Sequence, residues 1–172
     1  MTQDNPTPPP VPDEEVIAFA GHVFGCARAG QAEALDGFLR QGLPPNLRND
    51  KGDTLLMLAA YHGHAEAVRV LLEHGADPGI VNDRGQTPLA GAAFKGAADV
   101  VAVLLEHGAA VDGSGPDGRT ALMTAAMFNR VEIVRQLLAA GANPAARDAM
   151  GNTAAQAAMA MGAADTAAML KG

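Results

Sequence analysis

The sequence of 172 residues has no tryptophan, one tyrosine, five phenylalanines, one cysteine and, at Ser114, a single serine. A core so poor in large aromatic residues must be built from alanine and small aliphatics, which suits short, closely packed helices better than a sheet sandwich. The lone Cys26 excludes an internal disulfide and a disulfide scaffold. Positive charge is also scarce, with 12 Lys and Arg against 19 Asp and Glu and a formal net charge of −7. That balance argues against nucleic acid as a partner, because unaided binding needs cations that displace counterions from phosphates. Residues 1–15 lack both the basic start and the apolar run of a secretory signal or membrane anchor, so a cytoplasmic location with no membrane partner is expected. Pro6, Pro8, Pro9, Pro10 and Pro12 read as an extended, weakly ordered arm over residues 1–12, with a ligand for SH3-like domains as the other reading.

Catalytic patterns are missing too. Ser114 lies in Gly113-Ser114-Gly115 and lacks the glycines two residues to either side that a nucleophile elbow needs. Gly113 to Gly118 matches Gly-x-Gly-x-x-Gly in letters, but a helix and a loop precede it where a dinucleotide site needs a strand. His62 and His64 have no cysteine or carboxylate at metal-ligand spacing. His74 and His107 fall just before a helix-ending glycine, where a cation complements the helix terminus. Cys26 falls on an apolar stripe and reads as a small core residue. No catalytic residue, cofactor or metal ligand is assigned.

What the chain has in abundance is glycine at a fixed step. Gly52, Gly85, Gly118 and Gly151 recur every 33 residues, each followed two residues on by Thr54, Thr87, Thr120 or Thr153. Gly42, Gly75, Gly108 and Gly141 keep that step, as do Gly30, Gly63, Gly96 and Gly162 with Asn129 in the missing place. A period of this length means stacked supersecondary units, since one unit alone cannot bury its apolar face. Within a unit, Leu56, Ala59, Ala60 and Gly63 fall on one stripe of a first helix that Gly63 stops. A second helix follows with Ala67, Val68, Leu71 and Leu72 inside and Glu66, Arg69 and Glu73 outside, ended by Gly75. The stretch from Ala76 to Arg84 holds Asp77-Pro78-Gly79 and Asp83-Arg84-Gly85, which predicts a hairpin-like loop between units.

The pattern resembles the ankyrin repeat family. The resemblance is carried by Gly85-Gln86-Thr87-Pro88-Leu89, by Ala-Ala pairs at 59/60, 92/93 and 125/126, by Leu-Leu pairs at 71/72, 104/105 and 137/138, and by Gly-Ala steps at 75/76, 108/109 and 141/142. It implies an all-α solenoid of helix-turn-helix units: an N-terminal cap at 13–51, repeats at 52–84, 85–117 and 118–150, and a C-terminal cap at 151–172. In the first unit Asp13 is placed as the N-cap of a helix longer than the others. The family's histidine after Thr-Pro-Leu, which ties neighbouring loops, is replaced by Met57, Ala90, Met123 and Gln156, and its proline survives only as Pro88. Helix starts are therefore expected to depend on the threonines.

The resemblance further implies a non-catalytic module that binds a protein partner, most simply as a monomer of bacterial origin. The alternative is an accessory protein that protects or regulates an enzyme such as a catalase. The contact surface expected from the family is the concave groove with the loop tips. The loop positions are Asp50, Lys51, Asp53, Asp83, Arg84, Gln86, Asp117, Arg119, Met150 and Asn152. Two columns just before the first-helix glycines supply Tyr61, Phe94 and Met127 beside His62, Lys95, Phe128 and Met161. Two readings of these aromatics stand side by side: each covers its neighbour's helix, or together they form a binding face. On the second reading their removal leaves the fold nearly as stable.

Overall fold

The computed structural model describes residues 13–171, so the proline-rich arm expected at 1–12 lies outside the described residues. Five antiparallel helix pairs follow one another: α1 (Glu14–Ala29) with α2 (Ala32–Arg40), α3 (Leu55–Tyr61) with α4 (Ala65–Glu73), α5 (Pro88–Lys95) with α6 (Ala98–Glu106), α7 (Ala121–Met127) with α8 (Val131–Ala139), and α9 (Ala154–Ala160) with α10 (Ala164–Leu170). The odd-numbered helices pack on one another as an inner row, and α2, α4, α6 and α8 pack as an outer row. This is the helical solenoid that the repeat period predicts. The first helix is the long one, at 16 residues, and Asp13 caps it by accepting the Glu15 N–H.

The threonine series starts the inner helices. Thr54, Thr87, Thr120 and Thr153 sit in extended backbone, and each Oγ1 accepts the N–H three residues on, from Met57, Ala90, Met123 and Gln156 respectively. Each cap satisfies an amide that helix geometry leaves without a partner. Gln156 completes a capping box by reaching back to the Thr153 N–H. Met57 is buried against the next inner helix. A Cβ at Gly91 would lie 3.1 Å from its Sδ, so a small residue on the next helix and a flexible one here fit together.

Burial of the inner helices goes beyond the stripe read from the sequence. All six residues from Leu55 to Ala60, and all six from Ala121 to Ala126, are buried. The reason is position: an inner helix has a neighbour on each side and its own outer helix behind it, so three faces close instead of one. Leu71, Leu104 and Leu137 of the outer row are fully buried, as the second-helix stripe predicts.

Glycine's freedom at positive φ ends the inner helices, and Asn129 takes this role at φ 55°, the only non-glycine with positive φ among the described residues. Asn129 repays the backbone cost with its side chain. Its Nδ2 donates to Asp165 at 2.9 Å, and its Oδ1 accepts the Thr166 N–H at 3.1 Å, which docks α10 on the preceding repeat. Asn129→Gly should lose the docking bonds but not the backbone fit, whereas Asn129→Ala should lose both. Urea unfolding should rank wild type above Gly above Ala, with the Ala variant about 1–3 kcal/mol below wild type. Equal losses in the two variants would show that φ at this position carries no cost.

The four inter-repeat loops (41–54, 74–87, 107–120 and 140–153) are tight turns, with one isolated bridge, between Arg48 and Thr54, among the described residues. In three of them a side-chain oxygen braces the turn by accepting two backbone N–H groups. Asn49 takes those of Lys51 and Asp53, Asn82 those of Arg84 and Gln86, and Asp148 those of Met150 and Asn152. Such Asx bracing preorganises a loop without a strand ladder. The third loop has Gly115 in this place and no brace. A Cβ there would run into the backbone of Gly85, 2.7 Å from its Cα.

Backbone rungs join the loops in series. The Asp83 N–H donates to Lys51 O at 3.1 Å, and the Ala149 N–H donates to Asp117 O at 2.8 Å. One repeat after Asp83 stands Pro116, which has no N–H to give. Among the described residues no hydrogen bond crosses between the second and third loops, nor between the α3/α4 and α5/α6 pairs, where one long ion pair, Arg69 to Glu106 at 3.9 Å, accompanies apolar packing. The flanking junctions are tied. His64 Nε2 donates to Arg28 O at 2.8 Å, and Arg130 donates to Phe94 O at 3.0 Å.

Candidate functional site

The aromatics placed by the 33-residue step form one continuous ladder. Tyr61 and Phe94 stack with ring centroids 5.5 Å apart, and Phe94 meets Phe128 edge to face at 4.8 Å. The covering reading holds for the first two rings. Tyr61 and Phe94 are half-buried because each ring covers the next, while Phe128, at the end of the ladder, stays 39% exposed. The expectation that the fold is nearly as stable without the three rings meets these ring contacts. Aromatic pairs of this geometry contribute about 0.5–1.5 kcal/mol each beyond area burial, so their joint removal costs stability as well.

Two adjoining clefts open beside the ladder. The first, of about 300 Å3, is lined by Arg84, Gly85 and Gln86 of the second loop, Asp117 and Arg119 of the third, and Ala90, Phe94, Thr124, Met127 and Phe128 of the helices behind. It lies at the junction that lacks a loop rung, where Pro116 and Gly115 leave the two loops unfastened. The second, of about 190 Å3, is lined by Arg28, Asn49, Lys51, Asp53, Met57, Leu58, Tyr61, His62 and Arg84. Arg84 belongs to both. His62 is held below the usual imidazole pKa, first by burial and then by the positive charges of His64, Lys95 and Arg28. Burial is thus the main cause, and neighbouring cationic groups add to it.

Of the residues expected from the sequence, the clefts bring together Lys51, Tyr61, His62, Arg84, Gln86, Phe94, Asp117, Arg119, Met127 and Phe128. Lys95 adjoins them through its influence on His62. Asp50 and Asp83 are exposed loop residues, and Asp83 lies 4.0 Å from Arg48 across the loops. Met150, 84% exposed, and Met161, 54% exposed, stand on the last repeats away from both clefts, as does the half-buried Asn152. Asp53 also lines the second cleft. It is buried, and its Oδ1 accepts from Asn82 Nδ2 at 2.8 Å, so its carboxylate is a strut between the first and second loops. Its repeat position resembles that of exposed loop residues, but Asn82 turns it inward.

Arg28 was missed by the reading of the first repeat, whose markers depart from the pattern. One step of the period before Tyr61 lands on it, and that count was the available signal. Among the described residues no group of three or more His, Cys, Asp and Glu is arranged to hold a metal ion, and no helix is long and apolar enough to cross a membrane. Cys26 is buried in the core, and burial raises its thiol pKa. Its surroundings favour the neutral thiol over the nucleophilic thiolate.

The comparisons with known proteins agree with this geometry. A family model described as ankyrin repeats in three copies matches residues 23–114 and 109–172. A curated protein of Pseudomonas aeruginosa, named as an ankyrin repeat protein, is 54% identical over 56 residues, which is 33% of this chain and 33% of the relative. The aligned stretch thus spans about a third of that protein's length. Repeats of this kind generally mediate protein–protein interaction and are typically non-enzymatic. With family matches running from residue 23 to 172, stacked helix pairs and threonine-capped inner helices at a fixed step, the chain belongs to the ankyrin repeat family.

Proposed function

We propose that the chain is a non-catalytic binding module, acting as a cytoplasmic monomer of five units (13–51, 52–84, 85–117, 118–150 and 151–172), that holds a protein partner in the groove beside the aromatic ladder. The observation that carries this reading is the ladder itself. In a chain with six aromatic residues, three stack across successive repeats and flank the two clefts. Binding hot spots combine such rigid aromatic anchors with arginine and methionine in a concave surface. An accessory role beside an enzyme such as a catalase would use the same surface, and the identity of the captured protein separates that case from other partners.

The test uses Phe128→Ala, because Phe128 is the ring whose removal disturbs the packing least. Affinity capture from cell extract should recover a defined partner with wild type, and the variant should bind that partner at least about 2 kcal/mol, or about 30-fold, more weakly. The unfolding midpoint should move little. A variant that folds and captures the partner undiminished would exclude the groove.

A further inference from the structure

We propose that the segment held in this groove is extended and acidic, with an apolar side chain about three residues from its carboxylates. This rests on the groove reading above and adds the chemistry of the occupant. The groove carries a cluster of cations. Each outer helix carries an acid in its first turn, at Glu33, Glu66, Asp99, Glu132 and Asp165, where it complements the helix dipole. The arginines of the outer helices α2 and α4, Arg40 and Arg69, are paired with carboxylates. On the inner side, Arg28, Lys51, Arg84, Lys95 and Arg119 have no carboxylate within 4.0 Å among the described residues. Arg130, Arg135, Arg147 and Lys171 are also without an ion pair among the described residues, so the groove holds five of the cations that no carboxylate compensates in a protein of net charge −7.

Four of these cations, Arg28, Lys51, Arg84 and Arg119, line the two clefts. The cleft between the first and second loops is walled by Arg28, Lys51 and Arg84, with one carboxylate, Asp53, buried and held by Asn82. The cleft between the second and third is floored by Phe94, Met127 and Phe128. One offers a seat for carboxylates and the other a seat for an apolar side chain, and Arg84 stands between them. Repeats spaced about 10 Å apart correspond to about three residues of extended chain at roughly 3.3 Å each, which sets the interval in the partner. A nucleic acid strand fits poorly. Its closely spaced phosphates would meet the loop aspartates Asp50, Asp83 and Asp117 in successive repeats, whereas a peptide can place its few carboxylates between them.

The experiment is selection of random dodecapeptides displayed on phage against the full-length chain, followed by fluorescence anisotropy of the enriched peptide. Supporting results are enrichment of sequences with two or more acids and a Leu, Met or Phe about three residues away, weakening of binding as salt is raised, and a loss of about tenfold in Arg84→Gln and in Lys51→Gln. Both side chains are exposed and unpaired, so these variants should fold. Neutral or basic enriched peptides, or binding indifferent to both variants, would overturn the acidic occupant. In that case a retained sensitivity to Phe128→Ala leaves the groove itself standing. Failure to enrich any peptide, or tighter binding of a twelve-nucleotide single-stranded DNA than of the enriched peptide, overturns the proposal as well.

Discussion

Replacing Leu104 with alanine should lower the stability of the whole array by about 2–5 kcal/mol, the range for emptying a fully buried leucine site. Leu104 is completely buried in α6, which packs against both α4 and α8. The cavity therefore weakens two repeat interfaces at once. One of them, between the α3/α4 and α5/α6 pairs, has only the Arg69 to Glu106 ion pair to supplement its apolar contacts among the described residues. In a stack stabilised by nearest-neighbour interfaces, a loss in the middle reduces the coupling between the two sides. Urea unfolding followed by circular dichroism should show an earlier and broader transition than wild type. A midpoint that does not move would contradict the stacked core.

Deleting residues 163–172 should convert the protein into an aggregating species. The deletion removes α10, which packs on α7, α8 and α9. It also strips two specific partners from the repeat before it: Thr166, whose hydroxyl donates to Ala126 O at 2.7 Å, and the Asn129 contacts at the start of α10. The uncovered faces of α8 and α9 are apolar, and a terminal repeat without a polar cover is what capping repeats prevent. Size-exclusion chromatography with light scattering should find large assemblies for the truncated chain. A monodisperse monomer at the same concentration would mean that α10 is not the cap.

Much of the fold was legible because the period exposes it. Threonine in a fixed place predicts a cap, and all four caps form; asparagine in a glycine series predicts a left-handed residue, and Asn129 adopts one. What the period hides is difference between equivalent places. Asp53 and Gln86 occupy the same place in their repeats, yet Asp53 is buried with its carboxylate held by Asn82 in the wall of the second cleft, while Gln86 lines the first cleft half-buried. A stripe of apolar residues shows which face of a helix is buried first, but it cannot show that α3 and α7 are enclosed on their remaining faces, because that depends on neighbours 33 residues away. Arg28 was hidden for the opposite reason: the first repeat departs from the pattern, so its place in the column was not counted. Which of the groove cations lack a carboxylate partner needed the ion pairs, which no spacing rule supplies.

The proline in the third loop has a mechanical consequence. Bending a stacked array strains every junction in turn, and stiffness at each is set by what must break or slide there. Directional bonds resist shear steeply, while apolar side chains slip past one another over a shallow potential. Among the described residues no directional bond operates at the junction of the second and third loops, because Pro116 offers no hydrogen and Gly115 no side chain, and the loops meet there through close backbone contact of Gly115 with Gly85. Bending of the stack is therefore expected to concentrate at this joint, and a change of curvature there would alter the width of the first cleft.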